Sequence, residues 1–176
     1  MLTVNSLSGF GSRAAFATTV IPGASDWTDV GSGLTFGTGT FDASAEACAR
    51  TVDSFAGDFE LTATVQGETN WNFGCYLASG TINSATGNGI KGINPSYSYN
   101  GGDDTLFYRA VGQSVTETWA SSGTRDTVTI KRVGTTITFM KNTSNIIVFS
   151  QLTSDTLRIM FGAGGTTDIN DIQWVV

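Results

Sequence analysis

The fold class is decided by residues 128–142, VTIKRVGTTITFMKN, in which apolar and polar residues alternate around a glycine. Side chains on a β-strand point alternately to its two faces, so Val128 and Ile130 share one face. The VGT triplet reverses the chain, and Ile137 and Phe139 return on that same face. This stretch therefore predicts a β-hairpin whose apolar cross-strand pairs belong to a core.

The same two-residue alternation recurs along most of the chain, while the 3.6-residue period of an amphipathic helix is not sustained anywhere. Turn-forming Gly, Asn, Ser and Asp residues separate the alternating stretches at intervals of about 8–12 residues. We therefore predict an all-β protein, an antiparallel sandwich or barrel, in preference to a βαβ arrangement. The other predicted strands lie in DFELTATVQ (58–66), WNFGCYLAS (71–79), TLFYRAV (105–111), SVTETWA (114–120), NIIVFSQ (145–151), TLRIMFG (156–162) and DINDIQWVV (168–176).

Two segments depart from this rhythm. Residues 1–25 are mostly small or apolar, with Arg13 as their one charge, and we expect an extended arm that lies on another surface. Residues 26–176 then form the sandwich domain. Residues 83–104, rich in Gly, Asn and Ser, predict a long loop, and long loops in compact domains are often functional. The apolar residues that would anchor the arm include Leu2, Val4, Leu7, Phe10 and Phe16.

Length and charge limit the partners. A chain of 176 residues suffices for one domain with its own core. A net charge of −6 argues against a basic face, so we expect neither nucleic acid nor an anionic membrane as a partner. No run of 18 apolar residues occurs, which excludes a spanning helix. The N-terminus lacks the pattern of a secretory signal, so we expect assembly in the cytosol or a leader outside this sequence.

Catalytic chemistry finds little support in the sequence. The chain has no histidine, which excludes Ser-His-Asp and Cys-His nucleophiles and most zinc sites. The phosphate-binding motif GxxxxGK[ST] is absent. A glycosidase needs two carboxyl groups close together, but no predicted strand shows acidic residues alternating along one face. We expect a protein that is not an enzyme, and rank third a glycanase that uses one of the isolated glutamates Glu46, Glu60, Glu68 and Glu117.

Neither a metal nor a cofactor is expected. Calcium would need several carboxylate and carbonyl oxygens close together. Aspartates that could supply them lie where Asp commonly forms turns and begins strands, and we favour that interpretation. The candidates are Asp103, Asp104, Asp168 and Asp171.

The two cysteines, Cys48 and Cys75, could form one disulfide. Cys75 alternates with Phe73 and Leu77, which indicates a position on a core face. We therefore favour a buried reduced thiol that packs as a small hydrophobe.

A sugar site is one possibility for the 83–104 loop. Sugar rings have an apolar face and a polar rim, so their sites combine aromatic rings with amide and carboxylate groups. The loop offers this combination, although two tyrosines at alternate positions could equally cover a sandwich edge. The candidate glycan-binding residues are Tyr97, Tyr99, Asn100 and Asp103.

Residues 126–176 resemble the concanavalin A-like and laminin G-like jelly rolls. The resemblance lies in the order DTVTIKRVGTTITFMKN, IIVFSQ, LRIMFGAGG and INDIQWVV, and FELTATV and WNFGCYLASG are similar to earlier core strands. It implies an all-β, antiparallel jelly-roll β-sandwich. Domains of this superfamily serve as lectins, glycanases, adhesion modules and virion components, so the resemblance implies little about the ligand.

The whole chain is also similar in style to surface proteins of tailed-phage particles, which join a small apolar arm to a jelly roll. This resemblance implies a non-enzymatic virion protein, a capsid decoration (cement) protein or a tail-tip module, assembled in the host cytoplasm. Its partners would be capsid or tail proteins and other copies of itself, most simply in a trimer. The alternative is a carbohydrate-binding module or lectin of a bacterial or phage surface protein.

Overall fold

The computed structural model describes residues 18–29, 32–54, 56–66, 71–77, 96–100, 105–110, 113–118, 125–150 and 156–176. They form antiparallel strands and one turn of 3-10 helix, Ala24–Asp26. Within these stretches no helix is long and apolar enough to cross a membrane. The prediction of an all-β antiparallel protein is confirmed.

The described strands form two sheets. One contains β1 (Thr19–Val20), β3 (Leu34–Gly37), β4 (Thr40–Ala43), β6 (Phe59–Gln66), β11 (Arg125–Val133), β12 (Thr136–Lys141), β13 (Ser144–Ser150) and β15 (Thr167–Val175). The other contains β2 (Trp27–Asp29), β5 (Glu46–Thr51), β7 (Trp71–Leu77), β8 (Ser96–Asn100), β9 (Thr105–Ala110), β10 (Gln113–Thr118) and β14 (Leu157–Gly164). The first, the β6 sheet, has the order β13-β12-β11-β6-β15-β4-β3, with β1 paired to β15. The second, the β14 sheet, has the order β10-β9-β8-β7-β14-β5-β2.

The hairpin predicted at residues 128–142 is confirmed as β11 and β12. Ile130 lies opposite Phe139 in the antiparallel register. Gly134 turns the chain with a φ of 57°, a conformation that glycine adopts without a steric penalty. Its N–H donates to Asp58 Oδ1 at 2.7 Å, which ties the turn to the start of β6. The four predicted core residues, Val128, Ile130, Ile137 and Phe139, are fully buried.

An aromatic cluster joins the two sheets. Phe161 of β14 stacks on Phe73 of β7, with ring centroids 4.5 Å apart, and on Phe41 of β4 at 5.0 Å. Trp27 of β2 packs against Phe161 at 5.3 Å. Phe41 belongs to the β6 sheet and the other three rings to the β14 sheet, so this cluster holds the layers together. Each such pair contributes about 0.5–1.5 kcal/mol beyond its buried area.

A β-bulge keeps the apolar residues of β15 in the core. The register against β6 shifts just after Asn170, and Asp171 adopts a left-handed φ of 51°. Ile172 and Trp174, two of the alternating apolar residues of the predicted strand 168–176, are both buried. Val176 lies beyond the end of the strand and is exposed.

Residues 18–25 are attached to the sandwich. β1 pairs with the end of β15, and the Pro22 carbonyl accepts a hydrogen bond of 2.7 Å from the Gly39 N–H. These residues belong to the segment predicted as an arm, residues 1–25. The predicted anchoring residues Leu2, Val4, Leu7, Phe10 and Phe16 lie outside the described residues.

Both cysteines are buried and neither forms a disulfide, which confirms the interpretation of Cys75 as a small hydrophobe. Cys75 lies in the core, whereas Cys48 pairs with Gly162 on the opposite face of the β14 sheet. Burial raises the pKa of the Cys75 thiol far above its ordinary value, and the positive charge of Arg132 offsets only part of this effect. The thiol therefore stays protonated and inert.

Candidate functional site

A cavity of about 270 Å³ opens at one end of the sandwich, where both sheets contribute residues. We call it the end cavity. Segments far apart in the sequence form it: β1, the 3-10 helix, the end of β5 with the loop that follows, β14 and the end of β15. Its apolar lining residues are Val20, Ile159, Trp174 and Val176, and its polar ones are Asp26, Thr51, Asp53 and Ser54.

The apolar part of the lining is set by strand pairing. β1 places Val20 opposite Trp174, so the two residues are cross-strand neighbours. The Trp174 ring is held in place by an edge contact with Trp27, with centroids 6.4 Å apart. Only 9% of Trp174 is exposed, so it contributes to the inner wall of the cavity and not to an open platform.

Thr51 has a structural role in this cavity. Its hydroxyl donates to the Asp53 carbonyl oxygen at 2.8 Å and accepts from the Ile159 N–H at 3.1 Å. Its own carbonyl accepts from Arg158 Nη1 at 3.2 Å. Because these bonds use the Thr51 hydroxyl, the residue fixes the loop after β5 and has no free proton to donate to a ligand.

Asp26 is oriented by the 3-10 helix that it ends. Its Oδ2 accepts from the Gly23 N–H at 2.7 Å, and its carbonyl accepts from the Val52 N–H at 2.9 Å. These two bonds fix the carboxylate relative to the loop after β5. Oδ1 has no donor among the described residues and can accept a hydrogen bond from a ligand.

Asp53 and Ser54 complete the polar lining. Both are exposed, and within the described residues no hydrogen bond engages either side chain. Together with Asp26 they offer two carboxylates and one hydroxyl beside an apolar wall. Such a set can accept hydrogen bonds from hydroxyl groups beside an apolar surface.

A second, more open cavity of about 370 Å³ adjoins the first, since Val176 lines both. We call it the outer cavity. Lys131 and Glu60 form an ion pair beside it, with Nζ and Oε2 3.0 Å apart. Arg132 also lines it but is only 4% exposed, and its Nε donates to the Gly134 carbonyl at 3.2 Å. The sequence did not indicate this buried arginine.

The centre of the β14 sheet is closed to solvent on both faces. Strand alternation places Cys48, Asn72 and Met160 on the face turned away from the core, yet all three are buried. Across the described parts of β5, β7 and β14 this face therefore offers no open groove. The end of the sandwich is more accessible to a ligand.

The predicted glycan-binding residues lie elsewhere. They are Tyr97, Tyr99, Asn100 and Asp103. The first three belong to β8, so the prediction of an unbroken loop over residues 83–104 is wrong. The SYSYN segment alternates aromatic and small polar residues, which favours a strand paired to β7 and β9. The register sets the two tyrosines opposite the core residues Phe73 and Trp71. Asp103 lies outside the described residues, and a role of these four in glycan binding stays a prediction.

The calcium candidate Asp168 is held by protein groups. It accepts hydrogen bonds from Arg125 Nη2 and, at 3.0 Å, from Asn170 Nδ2. Burial opposes ionisation of Asp168, but these bonds outweigh it and lower the pKa of the carboxyl group. No group of three or more His, Cys, Asp or Glu side chains with metal-binding geometry occurs in the described part of the chain. Asp103 and Asp104 lie outside that part.

Comparison with solved structures finds proteins of the same architecture at low sequence identity. The carbohydrate-binding module CBM66 from Bacillus subtilis is 8% identical, with a TM-score of 0.57 and coverage of 85% of this chain and 95% of that one. The carbohydrate recognition domain of Emp47p is 12% identical, with a TM-score of 0.63 and coverage of 94% and 98%. A prokaryotic β-1,3-1,4-glucanase (lichenase) derived from a mouse hindgut metagenome is 8% identical, with a TM-score of 0.62 and coverage of 90% and 98%.

The fold is a concanavalin A-like jelly roll. The jelly-roll resemblance of residues 126–176 is thereby confirmed. No protein-family model matches the chain, and no curated protein matches its sequence. At these identities the likeness shows the fold alone, so function has to be argued from the site.

Proposed function

We propose that this protein binds carbohydrate at the end cavity and releases it unchanged. The observation that carries the proposal is the composition of that cavity, an apolar wall beside two carboxylates and a hydroxyl. Structural neighbours of this jelly roll include a carbohydrate-binding module and a carbohydrate recognition domain, which makes sugars the first ligand class to test.

The cavity suits a single sugar unit. Its volume of about 270 Å³ is just below the roughly 300–1,000 Å³ typical of small-molecule sites. The apolar face of the ring would lie against Val20 and Trp174, and its hydroxyls would donate to Asp26 and Asp53. The outer cavity adjoins the end cavity at Val176 and would bind the next sugar unit of a longer glycan.

Binding without turnover is favoured by the acidic residues near these cavities. A glycosidase places two carboxyl groups about 5–9.5 Å apart across the scissile bond, one acting as an acid. Glu60, the glutamate at the outer cavity, is paired with Lys131 at 3.0 Å. Asp26 is bonded to the Gly23 N–H, which holds it as a hydrogen-bond acceptor. Protein groups therefore already engage both of these carboxylates.

A glycan array followed by calorimetry on the best ligand tests the proposal. Asp53→Ala should weaken binding about 10- to 100-fold, because a hydrogen bond to a charged group contributes about 1.5–3 kcal/mol. Asp53 is exposed, so the substitution should leave the fold intact. Asp42→Ala, which removes an exposed aspartate of β4 away from the cavity, is the matched control and should bind like the wild type.

Two results would contradict the proposal. One is failure of the wild type to bind any glycan. The other is loss of binding in Tyr97→Ala or Tyr99→Ala while Asp53→Ala binds normally, which would move the site to β8.

A second proposal is a structural protein on a phage virion, attached to capsid or tail proteins. What favours it is the apolar character of residues 1–17, which directly precede the residues joined to the sandwich. Deleting residues 1–17 should leave a folded domain that no longer joins the particle. The deletion has to stop there, because β1 and Pro22 are bonded to the β6 sheet. Full occupancy of particles by the deletion variant would exclude this proposal.

A further inference from the structure

β13 is the outermost strand on one side of the β6 sheet in the described part of the chain. The outer edge of such a strand presents backbone N–H and C=O groups that can pair with another strand. Proteins usually protect long edges with charges or proline. β13 is seven residues long, and its sequence, SNIIVFS, has neither.

β13 differs in this respect from the other outermost strands of the described sheets. β3, on the far side of the β6 sheet, has only four residues. The outermost strands of the β14 sheet each carry an acidic residue, Glu117 in β10 and Asp29 in β2. Two copies of a chain with a net charge of −6 repel each other at long range, so they associate best through an uncharged surface.

Two β-branched residues of β13 are exposed. Ile146 is 38% exposed and Val148 is 54% exposed. Ile146 also lacks a partner on β12, because a bulge pairs Phe139 with Ile147 and Met140 with Asn145. Apolar side chains beside an open edge can be covered by cross-strand neighbours from an added strand.

The sequence of β13 is self-complementary in an antiparallel arrangement. A two-fold axis at Ile147 sets Ser144 opposite Ser150 of the second copy. It also sets Ile146 opposite Val148 of the second copy, twice per interface. Because both positions are on the exposed face, each added pair joins two β-branched side chains, which strands favour.

We propose that a second copy of this chain pairs with β13 edge to edge, and that the two β6 sheets join into one continuous sheet. The resulting assembly is a two-fold dimer. The dimer carries two end cavities. Two linked sites bind more strongly than one site to a surface that displays many copies of the ligand. The dimer itself requires no ligand, so it can be tested apart from carbohydrate binding.

Sedimentation velocity of the full chain tests this pairing. The wild type should approach twice its monomer mass of 18.5 kDa as its concentration rises. The double variant Ile146→Lys with Val148→Lys places like charges directly opposite each other, so it should sediment as a monomer. The double variant Ile146→Glu with Val148→Glu should do the same. An equal mixture of the two variants should form a mixed dimer, because each lysine then faces a glutamate.

The matched control is Val133→Lys. Val133 is 54% exposed, as Val148 is, but lies on β11, two strands away from the edge. This variant should dimerise like the wild type. A monomeric or trimeric wild type, a lysine double variant that still dimerises, or a mixture that stays monomeric would each overturn the proposal. Circular dichroism establishes that the variants keep the β-sheet fold.

Discussion

Replacing Phe161 with alanine would remove the ring on which the contact between the two sheets depends. Phe161 is fully buried and packs against Phe73, Phe41 and Trp27, with centroids 4.5, 5.0 and 5.3 Å away. A buried Phe→Ala substitution costs about 3–5 kcal/mol, and a site enclosed by three aromatic rings has little freedom to collapse. We expect a loss of about 4 kcal/mol, which lowers the melting temperature by about 8–16 °C in a chain of this size.

Urea unfolding followed by tryptophan fluorescence measures this loss. With an m-value of about 2 kcal/mol/M, the midpoint should fall by about 2 M. Phe161→Leu should recover more than half of the loss, since leucine refills most of the space. Val133→Ala, at an exposed position of β11, should stay within about 0.5 kcal/mol of the wild type. A loss below about 1 kcal/mol for Phe161→Ala would refute the role given to the cluster.

Three further predictions concern other parts of the described structure. Asn142→Ala should cost about 0.5–1.5 kcal/mol in urea unfolding, because the Asn142 Oδ1 accepts a hydrogen bond from the Thr127 N–H at 2.9 Å; an unchanged midpoint would contradict this. The pKa of Asp168 is lower in the folded protein than in the unfolded chain, where it is about 3.9. The ion pair of Asp168 with Arg125 therefore stabilises the fold above about pH 3.9, and this stabilisation is lost as the pH falls through the pKa of the folded state. Asp168→Asn should therefore lower the free energy of unfolding by under about 1 kcal/mol at pH 7, since the Arg125–Asp168 pair is partly exposed. It should also make the free energy of unfolding fall less steeply as the pH is lowered below about 4, and an unchanged pH dependence would contradict this prediction. Cys48 and Cys75 should resist Ellman's reagent in the folded protein and react after unfolding, whereas rapid reaction of the folded protein would contradict their burial.

The fold was largely predictable because solvent-facing and buried residues alternate along its strands. β6 and the hairpin of β11 and β12 follow that rule, with every second residue in the core. The rule fails for β14, where Met160 is buried along with its neighbours, since both faces of the strand are covered. A surrounding composition of Gly, Asn and Ser concealed β8.

The candidate site was not predictable in the same way. The cavity draws on five separate segments, which contribute Val20, Asp26, Asp53, Ile159 and Trp174. The pairing of β1 with β15 and of β14 with β5, and the backbone bond between Val52 and Asp26, bring these segments together. Nothing in their local sequence distinguishes Asp26 or Asp53 from an ordinary turn aspartate. Tyr97 and Tyr99 were predicted from residue type alone, which does not indicate where a residue lies in the fold, and their role in glycan binding stays a prediction.

The most direct test of carbohydrate binding at the end cavity is a nitrogen-15 NMR titration of the full chain with the strongest ligand from a glycan array. We predict that the indole N–H signal of Trp174 and the amide signals of Asp53 and Ser54 shift together and saturate with one affinity. Shifts centred on Tyr97 and Tyr99, or a spectrum that no glycan alters, would contradict binding at the end cavity.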